Sequence, residues 1–378
     1  MTDVIDRADG ASVRLVGDIY VQEEHPEAAL APLFDITRAA DVLIGNLEIP
    51  LCDTGQPLPK PNGHLRSEPR QVGALTAAGF SAVCVANNHA MNYGYQGLRQ
   101  MLGVLDDAGI AHAGGGGDLA EAHVPVLGSA MSLSYALLSY TSVYARGMFE
   151  ATRDRGGLAT VEVSTSYEPR DRHFEVPGMP PIIRTVARER DAARMAADVA
   201  AARKRADVVI VSWHWGVSLV SRDVVDYQRQ MARAAIDAGA DAVVGHHPHV
   251  LQPIEFYRGK PVCYSIGNLF HALRSEHFTP ESAILELIFG PGGAIRGVRV
   301  YPLWLDRGAD PVPLVPGDPR CRGVLAQLGH QRMVRLDARA GSEFYDVTPL
   351  DPDSAVGPQG AGEAKAREAR EGGAHVRS

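Results

Sequence analysis

The chain has 378 residues, of which 45% are hydrophobic and 22% charged, with a formal net charge of −8. That length holds one large α/β domain or two modest ones around a real core, and the acidic balance argues against a nucleic-acid partner. Cys52, Cys84, Cys263 and Cys321 are scattered with no CxxC pair, which argues against a disulfide framework or zinc ribbon. The first residues lack a basic-then-apolar signal region, and no stretch approaches ~18 apolar residues, so a cytoplasmic protein without a membrane partner is expected.

After a flexible lead (1–12), Val13–Val16 is a predicted strand ending in Gly17-Asp18, a carboxylate where open α/β sheets place their ligands. Ala28–Ala40 has helical spacing, and Asp41–Glu48 is a second strand closing on Asn46 and Glu48. The Pro-rich loop from Pro50 to Pro69 carries His64 and Arg66; Arg66 suits a bidentate grip on a carboxylate or phosphate, or is a solvated loop arginine. A helix over Gln71–Gly79 leads to the strand Ser81–Ala86, which runs into Asn87-Asn88-His89 and on to Tyr93. Carboxamides and an imidazole at a strand end are costly to bury unless they bind something.

Gln96–Ala108 reads as a helix, and the glycine run after Ile110 has no GxGxxG or Walker pattern, so no nucleotide cofactor is expected. Val124–Leu127 and Ser132–Tyr140 read as a hairpin joined through Gly128. Residues 141–181 are irregular and lid-like, and Thr185–Arg205 is a predicted helix. Asp207–Ser212 is a strand leading into Trp213-His214, followed by a helix over Val224–Ala238. Ala283–Phe289 and Ala294–Leu305 form a closing hairpin, Cys321–His330 a last helix, and 351–378 a Pro/Gly/Ala/charge-rich tail expected to be disordered. The folded part is thus expected to be a single domain over 13–350.

The most informative stretch runs from Asp241 to Phe270, DAVVGHHPHVLQPIEFYRGKPVCYSIGNLF. It reads as strand, sharp loop, strand, turn and strand. Side chains two apart in an extended segment point the same way, about 6–7 Å from one another, so His247 and His249 should share a site while His246 turns away. Imidazole serves as a metal ligand or as a general acid or base. The alternative is a surface loop that happens to be rich in histidine. Six strand ends argue against it: Asp18, Asn46/Glu48, Asn88/His89, His214, His247/His249 and Asn268. Polar clusters at successive strand ends, with helices between, are what a site at the carboxyl edge of a sheet requires.

GDIY, DVLIGNLEIPL, VANNHAMNYGYQGL, VIVSWHWG and AGADAVVGHHPHVLQPIEFYRGKPVCYSIGNLF together resemble the CapA family, named for poly-γ-glutamate capsule synthesis, within the calcineurin-like metallophosphoesterase superfamily. The resemblance covers about residues 13–305. It implies a four-layer α/β/β/α sandwich with a metal site at the sheet edge. It also implies that Asp18, Asn46, Asn88, His214, His247 and His249 stand where ligands are kept, and His89 where the acid/base histidine is kept. Glu48 and Asn268 belong to the family's NLE and GN signatures. The chain departs from the superfamily and family patterns in four ways. Tyr20 stands at a histidine place, Asn46 at that of a bridging aspartate, Asn92 at that of a usual aspartate, and Val217-Ser218 follow His214-Trp215-Gly216 where an acidic residue is commonly kept. A carboxamide supplies no charge to hold two cations ~3.5–4 Å apart, so one divalent ion is expected, with Ca, Mn or Zn all open.

Asp18, Glu48, His89 and His249 suit proton transfer, with Arg66, His64, Asn268 and Tyr93 as substrate contacts. The favoured expectation is a metal-dependent enzyme acting on a peptide substrate: Cα epimerisation in a ribosomally made, lasso-type peptide. The alternatives are a poly-γ-glutamate or capsule biosynthesis factor, a phosphoester or amide hydrolase, and a non-catalytic binding protein. Oligomeric state is left open.

Overall fold

The computed structural model describes residues 10–59, 64–170, 177–218, 223–271, 279–306, 310–330, 333–339 and 341–350. Two mixed sheets dominate it. The larger runs, side by side, through Val334–Ala338, Tyr345–Pro349, Ile295–Asp306, Glu281–Phe289, Ala11–Tyr20, Val42–Leu47, Ala82–Cys84 and Ala111–Ala113. Asn268–His271 also pairs with Ala11–Tyr20, and Asp310–Pro313 with Ile295–Asp306. The second sheet runs through Leu251–Tyr257, Lys260–Ile266, Ala242–His246, Val208–His214, Leu133–Thr141 and Val126–Ala130.

Alternation along each strand explains how the sheets stack. Val13 and Leu15 point to one face with Ile44, and there they share a core with Leu137, Ile210 and Val244 of the second sheet. Val16 and Ile19, on the opposite face, pack with Leu75, Leu98 and Met101 from the helices Val72–Ala78 and Gly94–Asp107. In the second sheet Val209, Val211 and Val243 face outward onto Met195, Val199, Met231 and Ala235. Those four come from the helices Glu189–Arg203 and Asp226–Ala238. The order is helix, sheet, sheet, helix. With both faces covered, every residue of Ala11–Tyr20 is buried, including the polar Ser12, Arg14 and Asp18.

The parallel strands Ala11–Tyr20, Val42–Leu47 and Ala82–Cys84 end along one edge of their sheet, and Val208–His214 and Ala242–His246 do so in the other. That shared edge carries the polar clusters. Among the described residues no helix is long and apolar enough to cross a membrane.

Several boundaries differ from the sequence expectations. The stretch 28–40 is broken into Pro26–Leu30, a 3₁₀ turn Ala31–Leu33 and Phe34–Arg38, because Pro32 cannot donate within a continuous helix. Gly128 sits inside a strand opposite Tyr135, and the hairpin instead turns after Ala130, with Met131 at φ 54. Thr185–Ala187 is strand rather than helix: Ile182–Ala187 pairs with Val163–Glu168, so the segment expected to be irregular holds one arm of a ribbon. Ala11 and Ser12 belong to the first strand, not to a flexible lead. The last predicted helix ends at Leu328, and Val334–Ala338 and Tyr345–Pro349 add strands not anticipated. The remainder of the expected lead (1–9) and the tail 351–378 lie outside the described residues.

Candidate metal centre

Asp18 is the geometric middle of the edge. Strand register sets it beside Asn46 on one neighbouring strand and Asn268 on the other, with an irregularity in each pairing. Gly17 permits the approach: a Cβ there would lie 2.2 Å from the Gly267 carbonyl oxygen. The Asp18 N–H donates to that same carbonyl at 3.0 Å. In the facing sheet His214 pairs in register with His246.

Hydrogen bonds then cross between the sheets. Asn46 Nδ2 donates to Asp18 Oδ1 at 2.8 Å and lies 3.3 Å from His214 Nδ1, while Asn46 Oδ1 accepts from Asn87 Nδ2 at 3.2 Å. The His247 N–H donates to Asp18 Oδ2 at 3.1 Å. His214 Nε2 lies 2.8 Å from Asn88 Oδ1 and 3.3 Å from Glu48 Oε1. His249 Nδ1 is 2.9 Å from Asn268 Oδ1 and 3.3 Å from Asp18 Oδ2. The expected ligands are therefore gathered at one place.

The histidine loop gathers by a different route from the one expected. It is not extended: His247 has φ 91 and His249 φ 56. Left-handed backbone at two residues that carry side chains costs of order 1–3 kcal/mol each and is held only where the surroundings over-determine it. The turn leaves the two rings 5.8 Å apart, with His247 4.7 Å from His214. His246, expected to turn away, instead sets Nδ1 3.1 Å from Asp18 Oδ1, because it completes the strand whose end faces that carboxylate.

Glu48, expected to act in proton transfer, occupies the ligand core. Two sets of donor atoms lie within 4.8 Å of one another, Asp18–Glu48–His214 and Glu48–His247–His249, and Glu48 belongs to both. It is fully buried, and neither of its oxygens meets hydrogen-bond geometry among the described residues. His249 Nε2 lies 3.8 Å from Oε1, and Tyr20 and Asp18 stand beside it. A fully buried carboxylate set beside a second one, with the Tyr20 hydroxyl near it, is costly, and a cation relieves that cost. Mixed imidazole and carboxylate donors at these separations fit a divalent metal ion.

The electrostatics of the metal-free cluster point the same way. Burial pushes Asp18 up, but hydrogen bonds and charge from His246 and His249 prevail and hold it well below the usual carboxylate range. Burial and then the Asp18 charge push Glu48 well above its usual value. Tyr20 is raised by burial and by both carboxylates. Burial works against a charged His249, yet Glu48, Asp18 and the bond to Asn268 carry it up to about 9. Without metal, His249 offers the opposing charge and Glu48 is pushed toward its protonated form.

His89 lies at the margin, its ring 5.8 Å from Tyr20, and its backbone N–H donates to Asn87 Oδ1 at 3.0 Å. The expected substrate contacts split in two. Asn268 is inside the cluster, whereas Arg66 lies over the Tyr93 ring at 4.7 Å and His64 packs against it at 6.2 Å. Arg66 and His64 are exposed, and among the described residues neither makes a hydrogen bond or ion pair with the buried cluster. Asn87, Asn92, Tyr20 and His246 take part although the sequence reading gave them no site role: Tyr20 and Asn92 were named as departures from the superfamily pattern, and His246 was expected to turn away. Asn87 and Asn92 were visible in ANNHAMN, but nothing in the sequence separates a bridging carboxamide from a capping one.

Comparison with known proteins agrees with the motif reading. The family model described as bacterial capsule synthesis protein PGA_cap matches residues 11–272. PGA biosynthesis protein CapA of Bacillus subtilis (strain 168) is 33% identical over 353 residues, covering 91% of this chain and 84% of that protein. A probable polyglutamine synthesis accessory protein of Mycobacterium tuberculosis is 33% identical over 282 residues, 71% of this chain and 67% of that one. Capsule biosynthesis protein CapA of Bacillus anthracis is 28% identical over 275 residues, 72% of this chain and 60% of that one. The chain belongs to the bacterial capsule synthesis protein family, PGA_cap.

Proposed function

We propose that this chain is a metal-dependent member of a capsule-type system, acting on an amide-linked, carboxylate-rich polymer of the poly-γ-glutamate kind, on a calcineurin-like sandwich. The observation that carries the metal dependence is Glu48, buried and shared by both possible ligand sets. The polymer follows from relatives named for PGA and capsule biosynthesis. Those names favour this reading over Cα epimerisation of a lasso-type peptide.

In this reading Asp18, Glu48, His214, His247 and His249 hold the cation. When bound, it supplies a Lewis acid able to polarise a carbonyl oxygen. Asn46 and Asn268 orient Asp18 and His249 through the bonds described above. His89 meets the substrate from the Tyr20 side. Arg66, braced on Tyr93, offers a planar fork to substrate carboxylates at the rim.

The test uses metal-quantified wild-type and Glu48→Gln protein incubated with γ-linked glutamate oligomers and followed by mass spectrometry. Cleaved or transferred chains with the wild type alone, together with metal lost from the variant, is the expected result. Unchanged oligomers with metal bound would remove the polymer substrate. Deuterium uptake from D2O without cleavage would restore the epimerase reading.

A further inference from the structure

Asn92 is fully buried beside His89. Its side-chain nitrogen lies 3.1 Å from the Leu65 carbonyl oxygen and 3.1 Å from His89 Nδ1. A carbonyl oxygen only accepts, so the contact to Leu65 orients the carboxamide with its nitrogen inward. An amide NH2 has two hydrogens and no acceptor capacity. Facing that group, His89 Nδ1 has to be the acceptor, and in the neutral ring the proton then sits on Nε2. The backbone holds this arrangement, since the Asn92 N–H donates to the His89 carbonyl at 2.9 Å and the Leu58 N–H to the Asn92 carbonyl at 2.9 Å.

We propose that Asn92 is a positioning residue that locks His89 in the Nε2–H tautomer and ties it to the segment carrying His64 and Arg66. His89 thereby serves as a hydrogen-bond donor to a substrate oxygen at Nε2 and not as a base there. This rests on the reading above that His89 meets the substrate. A carboxylate at position 92 would reverse both effects. It would accept from Nδ1–H, leaving Nε2 with a lone pair, and it would face the Leu65 carbonyl without a hydrogen to offer. One amide thus sets a ring tautomer and anchors the rim loop together.

The test is a long-range ¹H–¹⁵N spectrum of metal-free protein with ¹⁵N-labelled histidine rings at about pH 8, where an ordinary imidazole is neutral. The His89 signals are identified by their loss in His89→Gln. The expected wild-type pattern is a protonated Nε2 and an unprotonated Nδ1, inverted in Asn92→Asp. A wild-type ring protonated at Nδ1, alone or together with Nε2, overturns the proposal. So does a tautomer that stays unchanged in a folded Asn92→Asp protein. If that variant does not fold, the wild-type spectrum still decides. None of these signals depends on metal or polymer, so the proposed function can fail while the tautomer assignment stands, and the reverse.

Discussion

The Asp18 carboxylate accepts a hydrogen bond from the backbone N–H of His247, 229 residues further along the chain, at 3.1 Å. The contact joins the two sheets at their common edge. The same side chain also accepts from Asn46 and lies against His246 and His249.

Replacing it by Asn tests whether this carboxylate is both clasp and ligand. The introduced carboxamide has one acceptor oxygen, and its NH2 would oppose Asn46 Nδ2 or the His247 N–H. Asp18→Asn is therefore expected to cost about 3–5 kcal/mol, the range for breaking a buried charged network, and to abolish cation binding. Urea denaturation and titration calorimetry with Zn²⁺ or Mn²⁺ measure the two effects. Full stability would show that the clasp contributes nothing, and retained binding would remove Asp18 from the ligands.

Glu48→Gln separates ligation from folding. Burial and then the Asp18 charge push Glu48 well above its usual value, so its charged form is disfavoured in the metal-free protein, and Gln reproduces its shape without the charge. The metal-free variant is expected to match the wild type within about 1 kcal/mol, the small change typical of a volume-conserving exchange. Cation affinity should fall by at least about 10-fold, since both ligand sets lose a shared member. Thermal melts with and without added metal give the comparison. A cation at 100 times the wild-type Kd should raise wild-type stability by about 2.7 kcal/mol and that of a variant with 10-fold weaker affinity by about 1.4 kcal/mol at most. An equal metal-induced shift in both proteins would refute the assignment of Glu48.

The edge cluster was legible in the sequence because each candidate ligand follows an apolar run, and strand ends are where an α/β sheet exposes chemistry. The gathering of His247 and His249 was anticipated for the wrong reason. Alternation in an extended strand was invoked, whereas two left-handed residues make the turn, and side-chain identity does not announce positive φ in histidine. The burial of Glu48 and its place in both possible ligand sets were not legible, because a lone carboxylate in sequence says nothing of its surroundings. The ribbon of Val163–Glu168 with Ile182–Ala187 was missed because its strands are mostly exposed and carry no buried apolar face to impose a period. Long-range carboxamide bonds such as Asn87 to Asn46 depend on register between strands, which a one-dimensional pattern does not contain.

Acid stability should depend on a second buried carboxylate in the larger sheet. Glu286 Oε1 accepts from Ser12 Oγ at 2.7 Å and pairs with Arg14 at 2.9 Å, while Oε2 accepts from Tyr301 at 3.1 Å and lies 3.5 Å from Arg299. Burial alone would raise it, but Arg14, Ser12 and Arg299 prevail and hold it below the ordinary glutamate value of 4.5. Tyr301, buried beside this charge, is pushed up to about 12 and stays a donor. A carboxyl depressed in the folded state stabilises the protein fully above its unfolded value. That contribution is lost as pH falls from about 4.5 through the lower folded value, because the unfolded chain binds the proton first. Denaturation midpoints of the wild type should therefore decline over that window. Glu286→Gln should be less stable at neutral pH by about 3–5 kcal/mol, with two arginines left facing a neutral amide, and should show a shallower acid decline. Parallel acid slopes in the two proteins would show that Glu286 is not the group whose protonation is felt.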